Sequence, residues 1–171
     1  MVTMNKTTNL TYMAQLLDEL ADYAINRGFD LQTGFDDITE VTWKSPGRST
    51  AKANKLNTPD TIRLNHCNGN LEHMCFELMH ELGHDQARID YAAYSKRYPL
   101  LVASEHYACD KKYKRHIGWQ MEYLSEEFEA WNQGLTLVYL NKKKFNYEAY
   151  NKYSRKQLLT YVRHFAKKLI R

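Results

Sequence analysis

The sequence predicts an α+β fold: one helix, a small sheet, then helices to the end of the chain. Three observations carry that prediction. Apolar residues recur at helical spacing near the N-terminus and again over most of the chain after residue 70. Short β-branched and aromatic runs occur between those two regions. The 171 residues are 43% apolar and 26% charged, a composition of a globular domain long enough to bury a core.

The first helix is expected in "NLTYMAQLLDELADYAINRG", where Met13, Leu16, Leu17, Leu20, Ala21 and Ala24 share one face and Gly28 is a natural stop. "FDLQTGF" and "ITEVTW" are two short strands, "KSPGRSTAKANKLNTPD" a loop, and "TIRLN" (61–65) a third strand with Ile62 and Leu64 on one face. Helical spacing resumes at Asn70 and runs to about Tyr94. Pro99 opens the next helix, which Gly118 ends. Phe128, Trp131, Leu135 and Val138 repeat at 3-4-3 spacing, so another helix is expected with Ser125 as its N-cap. A last helix carries Leu158, Leu159, Val162, Phe165 and Leu169. The expected organisation is a core over 1–120 with a basic helical extension over 121–171 packed on it, together one compact domain.

No stretch approaches the ~20 apolar residues that span a bilayer, so no membrane contact is expected. The first ten residues lack the apolar run of a secretory signal, and Cys67, Cys75 and Cys109 form no regular framework. A cytoplasmic protein is expected. The net charge of +4 is uneven: from Asn141 onward there are ten Lys or Arg and one acid, Glu148. Tyrosines 147, 150, 153 and 161 interleave with those cations, as on nucleic-acid stacking surfaces. A solvated cationic helix face is the favoured alternative.

The segment "CFELMHELGHDQARID" carries the chemistry. His80 and His84, four residues apart on a helix, can aim both imidazoles at one ion, with Glu81 at the edge of that face. Cys75, Leu78, Met79, Leu82 and Gln86 form the opposite, largely apolar stripe, and Gly83 permits close approach of another backbone. A catalytic zinc takes three protein ligands. Glu105, on the next expected helix, is the candidate third ligand, because Ala108 and Cys109 on its face allow close helix packing; His106 is the adjacent competitor. "TIRLN" is either an edge strand able to pair with an extended substrate or an internal strand of the sheet. His66, Cys67, His73 and Cys75 offer a second, less regular ligand set for a structural zinc.

The stretch "TIRLNHCNGNLEHMCFELMHELGH", followed by "SEHYACDKKYKRHIG", resembles the ImmA/IrrE family of metallopeptidases, over roughly residues 10–118. The resemblance implies a zincin-like minimal core. His80, His84 and Glu105 become Zn2+ ligands and Glu81 the general base. It also implies a protein substrate, such as a phage or mobile-element transcriptional repressor. The family's E-x-x-A-N/D pattern is altered here: Cys109 stands where Asn or Asp is usual, and the following Phe is absent. Tyr94, Tyr107, Tyr113, His106 and His73 are candidate oxyanion donors. A non-catalytic, zinc-containing regulatory or nucleic-acid-binding protein is the alternative function.

Overall fold

The computed structural model describes residues 6–35, 40–42, 60–65, 67–106, 116–138 and 145–169. Helix α1 (Lys6–Asn26) buries Met13, Leu16, Leu20 and Ala24, the face that the spacing predicts. It stops at Gly28, whose φ of 84° is the left-handed conformation that glycine adopts without penalty.

Strands β1 (Phe29–Phe35), β2 (Glu40–Thr42) and β3 (Asp60–Asn65) form one sheet in the order β1-β3-β2. β1 runs parallel to β3, with Leu31 opposite Ile62, and β2 runs antiparallel to it, with Val41 opposite Ile62. "TIRLN" is therefore the central strand. Among the described residues it is paired on both edges, with β1 along its length and with β2 over Thr61–Arg63, so it is the internal strand of the sheet. Ile62 and Leu64 point together into the core while Arg63 faces solvent. The loop expected at 44–60 lies outside the described residues, save Asp60 in β3.

Asn65 then turns the chain. Its side chain accepts a hydrogen bond from the Cys67 amide at 2.6 Å, leading into a 3-10 turn, Cys67–Gly69. Helix α2 (Leu71–Ala87) starts where Asn70 accepts from the His73 amide at 3.1 Å, a cap of about 1 kcal/mol. Its apolar stripe docks on α1 and the sheet: Cys75, Leu78, Met79 and Leu82 are fully buried. Cys75 donates to the Met13 carbonyl, and Gln86 donates to the Tyr23 hydroxyl at 2.6 Å. Asp85, also buried, meets Arg27 at 2.7 Å.

The helix expected to reach Tyr94 ends seven residues earlier. The chain turns through Arg88, and Asp90 caps a separate helix α3 (Tyr91–Arg97) by accepting from the Ala93 amide. No glycine or proline marks this break; a capping aspartate does. Helix α4 (Pro99–His106) begins at the proline as expected, and its free Leu100 and Leu101 amides are satisfied by Glu122 Oε2 at 2.8 and 3.1 Å.

Helix α5 (Ile117–Thr136) corrects two expectations. Gly118 lies inside its first turn instead of ending α4, and Ser125 sits exposed in mid-helix instead of at the N-cap. The buried face is Trp119, Glu127, Ala130, Trp131 and Gly134, continued by Val138, while Phe128 is 58% exposed. Phe128 shares the 3-4-3 spacing, but its neighbour Glu127 takes the buried position. The helix also runs unbroken across residue 120. Helix α6 (Tyr147–Leu169) closes the described chain. No helix of the described residues is long and apolar enough to cross a membrane.

α2 packs most extensively against α5, in opposite sense. A Cβ on Gly83 would overlap the Ala130 carbonyl, and one on Gly134 would overlap the Met79 carbonyl. Two glycines thus let two backbones touch. Gly83→Ala or Gly134→Ala should cost about 3 kcal/mol or more, seen as a lowered unfolding midpoint. Gly118→Ala, whose Cβ would meet side-chain atoms of Leu100 and His116 first, at 3.0 and 3.1 Å, should be far milder. Equal midpoints for all three would show that the helices do not meet there.

Candidate metal centre

The backbone contact at Gly83 brings the polar faces of α2 and α5 together. His80 and His84 stand one turn apart on α2, as their spacing predicts. Opposite them, α5 presents two consecutive carboxylates, Glu126 and Glu127. All four side chains are buried.

Three ligand atoms converge. His80 Nε2 lies 3.2 Å from His84 Nε2 and 3.2 Å from Glu127 Oε2, and His84 Nε2 lies 3.9 Å from Glu127 Oε2. A point equidistant from the three is about 2.0 Å from each, which is the length of a zinc–nitrogen or zinc–carboxylate bond. Among the described residues this is the one group of three or more His, Cys, Asp or Glu side chains that could hold a metal ion. Two ring nitrogens cannot turn lone pairs on each other at 3.2 Å without a proton or a cation between them. Glu127 Oε2 also has no hydrogen bond of proper geometry despite its burial. The donor set therefore fits a divalent ion such as zinc, though carboxylate and imidazole accept several.

The electrostatics agree with a site built around positive charge. Burial disfavours a charged His84, yet Glu126, by charge and by hydrogen bond, and then Glu127 and Glu81 push it up to about 10. Burial and the neighbouring His84 hold His80 below its ordinary value. Burial would raise Glu127, but the close polar contact with His80 and the charges of both histidines leave it below the usual carboxylate range. Glu81 lies buried between the histidines in sequence, and burial pushes its carboxyl up to about 8 against the pull of His84.

Apolar clusters flank the site, one against the His80 ring and one against the carboxylates. His80 stacks on Trp131 with centroids 4.2 Å apart and planes 17° from parallel. Trp131 belongs to the main core with Phe76 and Tyr150. On the other flank, Tyr94, Tyr98, Leu101, Trp119 and Phe165 form a second cluster, against which Tyr123 and Tyr161 pack.

Of the residues singled out in the sequence, the structure brings His80, His84 and Glu81 together. Glu105 and His106 lie in the last turn of α4, and their side chains fall outside the described residues, as do Cys109, Tyr107 and Tyr113. The third member of the triangle is Glu127, which the spacing argument did not single out. A signal existed: the E-x-x-A pattern sought at Glu105–Ala108 occurs again at Glu127–Ala130. Ala130 is the residue whose carbonyl abuts Gly83, so the small residue one turn after the glutamate serves close packing here. The His73 ring packs against Tyr153, with centroids 4.5 Å apart. Cys75 points at α1, so it and His73 do not converge as a zinc knot, and His66 lies outside the described residues.

No family model, curated protein or solved structure matches the chain. The site stands on its geometry.

Two outcomes follow. Glu127→Ala should abolish stoichiometric zinc binding by the folded protein, whereas Glu105→Ala should retain it; the reverse pattern would move the third ligand to α4. The metal-free protein holds a proton on His84 at neutral pH, since that group's value is raised. Zinc must displace this proton, so affinity should fall as pH drops from about 8 to about 6. Calorimetry in two buffers of different ionisation enthalpy should show proton release, and buffer-independent heats would contradict it.

Proposed function

We propose that the chain is a metal-dependent peptidase, with zinc as its ion, that hydrolyses a peptide bond in a protein substrate. The observation supporting it is the buried His80–His84–Glu127 triangle with Glu81 adjacent to the first ligand. Two histidines and a glutamate are the ligand set of many zinc peptidases. When bound, such an ion supplies Lewis acidity, bringing the pKa of a water to about 7 and polarising a carbonyl.

The chain's own residues supply the rest. Glu81 is the general base. A carboxyl raised toward neutrality is matched to taking a proton from water and returning it to the leaving amine. The two apolar clusters exclude bulk water, which strengthens every charge interaction between them. The resemblance of "HELGH" and its preceding strand to the ImmA/IrrE family supports this reading, and a transcriptional repressor is the substrate class it suggests. Cytoplasmic residence fits that substrate.

One observation favours a second reading, a metal-containing regulator without turnover. His80, Glu81 and Glu127 are each 4% exposed and His84 8%, and structural zinc sites are closed where catalytic ones keep an open position. Such a regulator could use the exposed cations of α6, among them Lys152, Arg155, Lys156, Arg163 and Lys167, to meet an acidic partner or nucleic acid.

Glu81→Gln separates the two. The peptidase reading expects the variant to bind zinc as the unchanged protein does while cleavage of a repressor or unfolded protein falls at least ~100-fold. The unchanged zinc-loaded protein should cleave and should stop on chelation. Zinc binding without cleavage by the unchanged protein across such substrates would leave the regulator.

A further inference from the structure

We infer that Glu126 is a positioning residue for the metal centre, fixing the ring of His84, and that Tyr94 and Arg88 hold Glu126 in place. This rests on the metal-site reading above and adds to it the residues that aim one ligand.

The consecutive glutamates of α5 straddle a single imidazole. Glu127 Oε2 lies on the Nε2 side of His84, at 3.9 Å, and Glu126 Oε1 lies on its Nδ1 side, at 2.8 Å. A carboxylate accepts and cannot donate when ionised, so His84 donates from Nδ1. With that proton committed, the neutral ring presents its lone pair at Nε2, the atom of the ligand triangle. Glu126 therefore selects which nitrogen binds.

Glu126 is itself supported. The Tyr94 hydroxyl lies 3.4 Å from the same Oε1, and Arg88 Nη2 donates to that hydroxyl at 2.9 Å. The Arg88 guanidinium also sits over the Tyr94 ring, 4.6 Å from its centroid. Tyr94 is fully buried. The run Arg88–Tyr94–Glu126–His84 thus joins the turn after α2 to the ligand near the end of α2, by way of α3 and α5.

His80 provides the internal contrast. Its Nδ1 has no hydrogen-bond partner among the described residues, and its ring is held by stacking on Trp131. One ligand is aimed by a charged hydrogen bond and the other by a flat apolar surface. The family pattern places the supporting Asn or Asp four residues after the ligand glutamate. In this chain Trp131 occupies that offset from Glu127, so the support comes from the preceding residue instead.

The test is a set of competitive zinc titrations with the full-length protein, together with the cobalt(II) absorption spectrum and the NMR signal of the His84 Nδ1 proton. Glu126→Ala should weaken zinc binding 10- to 100-fold. Glu126→Gln, which keeps an acceptor, should recover part of that loss, and Tyr94→Phe should weaken binding about fivefold. Glu122→Gln is the control: that carboxylate caps α4, so the variant should lose stability without losing zinc affinity. The cobalt spectrum should change in Glu126→Ala and not in Glu122→Gln. The Nδ1 proton signal should be slowly exchanging in the unchanged protein and lost in Glu126→Ala, with or without metal. A folded Glu126→Ala variant with unchanged zinc affinity and a retained Nδ1 signal overturns the inference while the metal site stands. Failure of the unchanged protein to bind zinc defeats the metal reading instead, and persistence of the Nδ1 signal in Glu126→Ala then still overturns this one.

Discussion

The contact between the α2 and α5 backbones at Gly83 and Gly134 determines the rest of the structure. Helices with side chains at their crossing usually stand 8–10 Å apart. Here each helix puts a glycine, Gly83 or Gly134, where a Cβ would stand, and the Ala130 and Met79 carbonyls occupy the space. The opposite sense of the two helices then dictates every further pairing. Met79 meets Gly134, Gly83 meets Ala130, and His84, the residue after Gly83, meets Glu126 and Glu127, one turn before Ala130 on α5. Short imidazole and carboxylate side chains can bridge this gap directly.

That arrangement places charge where water cannot reach it. A lone buried carboxylate is expensive enough that it takes up a proton instead. Glu81 follows that rule, its carboxyl raised by burial. Glu127 avoids it by facing two histidines, which hold it below its usual range. The polar layer lies between the Trp131 side of the main core and the Tyr94–Trp119 cluster. Buried pairs of this kind seldom add stability over apolar packing of equal volume. Three of the atoms are spaced so that they could hold one ion.

Much of the fold was legible because its segments obey simple periods. α1 and its glycine stop, the three strands, the Asn70 start of α2 and the Pro99 start of α4 all follow from local chemistry. The histidine pair was legible for the same reason: both ligands belong to one helix, and four residues make one turn. Glu127 was harder, because it comes from a distant helix whose pairing with α2 depends on two glycines 51 residues apart in sequence. Its position on the buried stripe, between Trp119 and Trp131, reads as a break in an apolar pattern. That preference for apolar residues also moved the start of α5 to Ser125 and selected exposed Phe128 as core. The internal place of "TIRLN" depended on β1 and β2 both pairing with it, which a strand's own residues do not reveal.

The central claim is that His80, His84 and Glu127 hold one ion. X-ray absorption at the zinc edge of the unchanged, zinc-reconstituted protein tests it most directly. The account predicts a first shell of nitrogen and oxygen alone at about 2.0–2.1 Å, with the outer-shell scattering of two imidazoles. Sulfur scattering at about 2.3 Å, or a shell of water oxygens without imidazole, would contradict it.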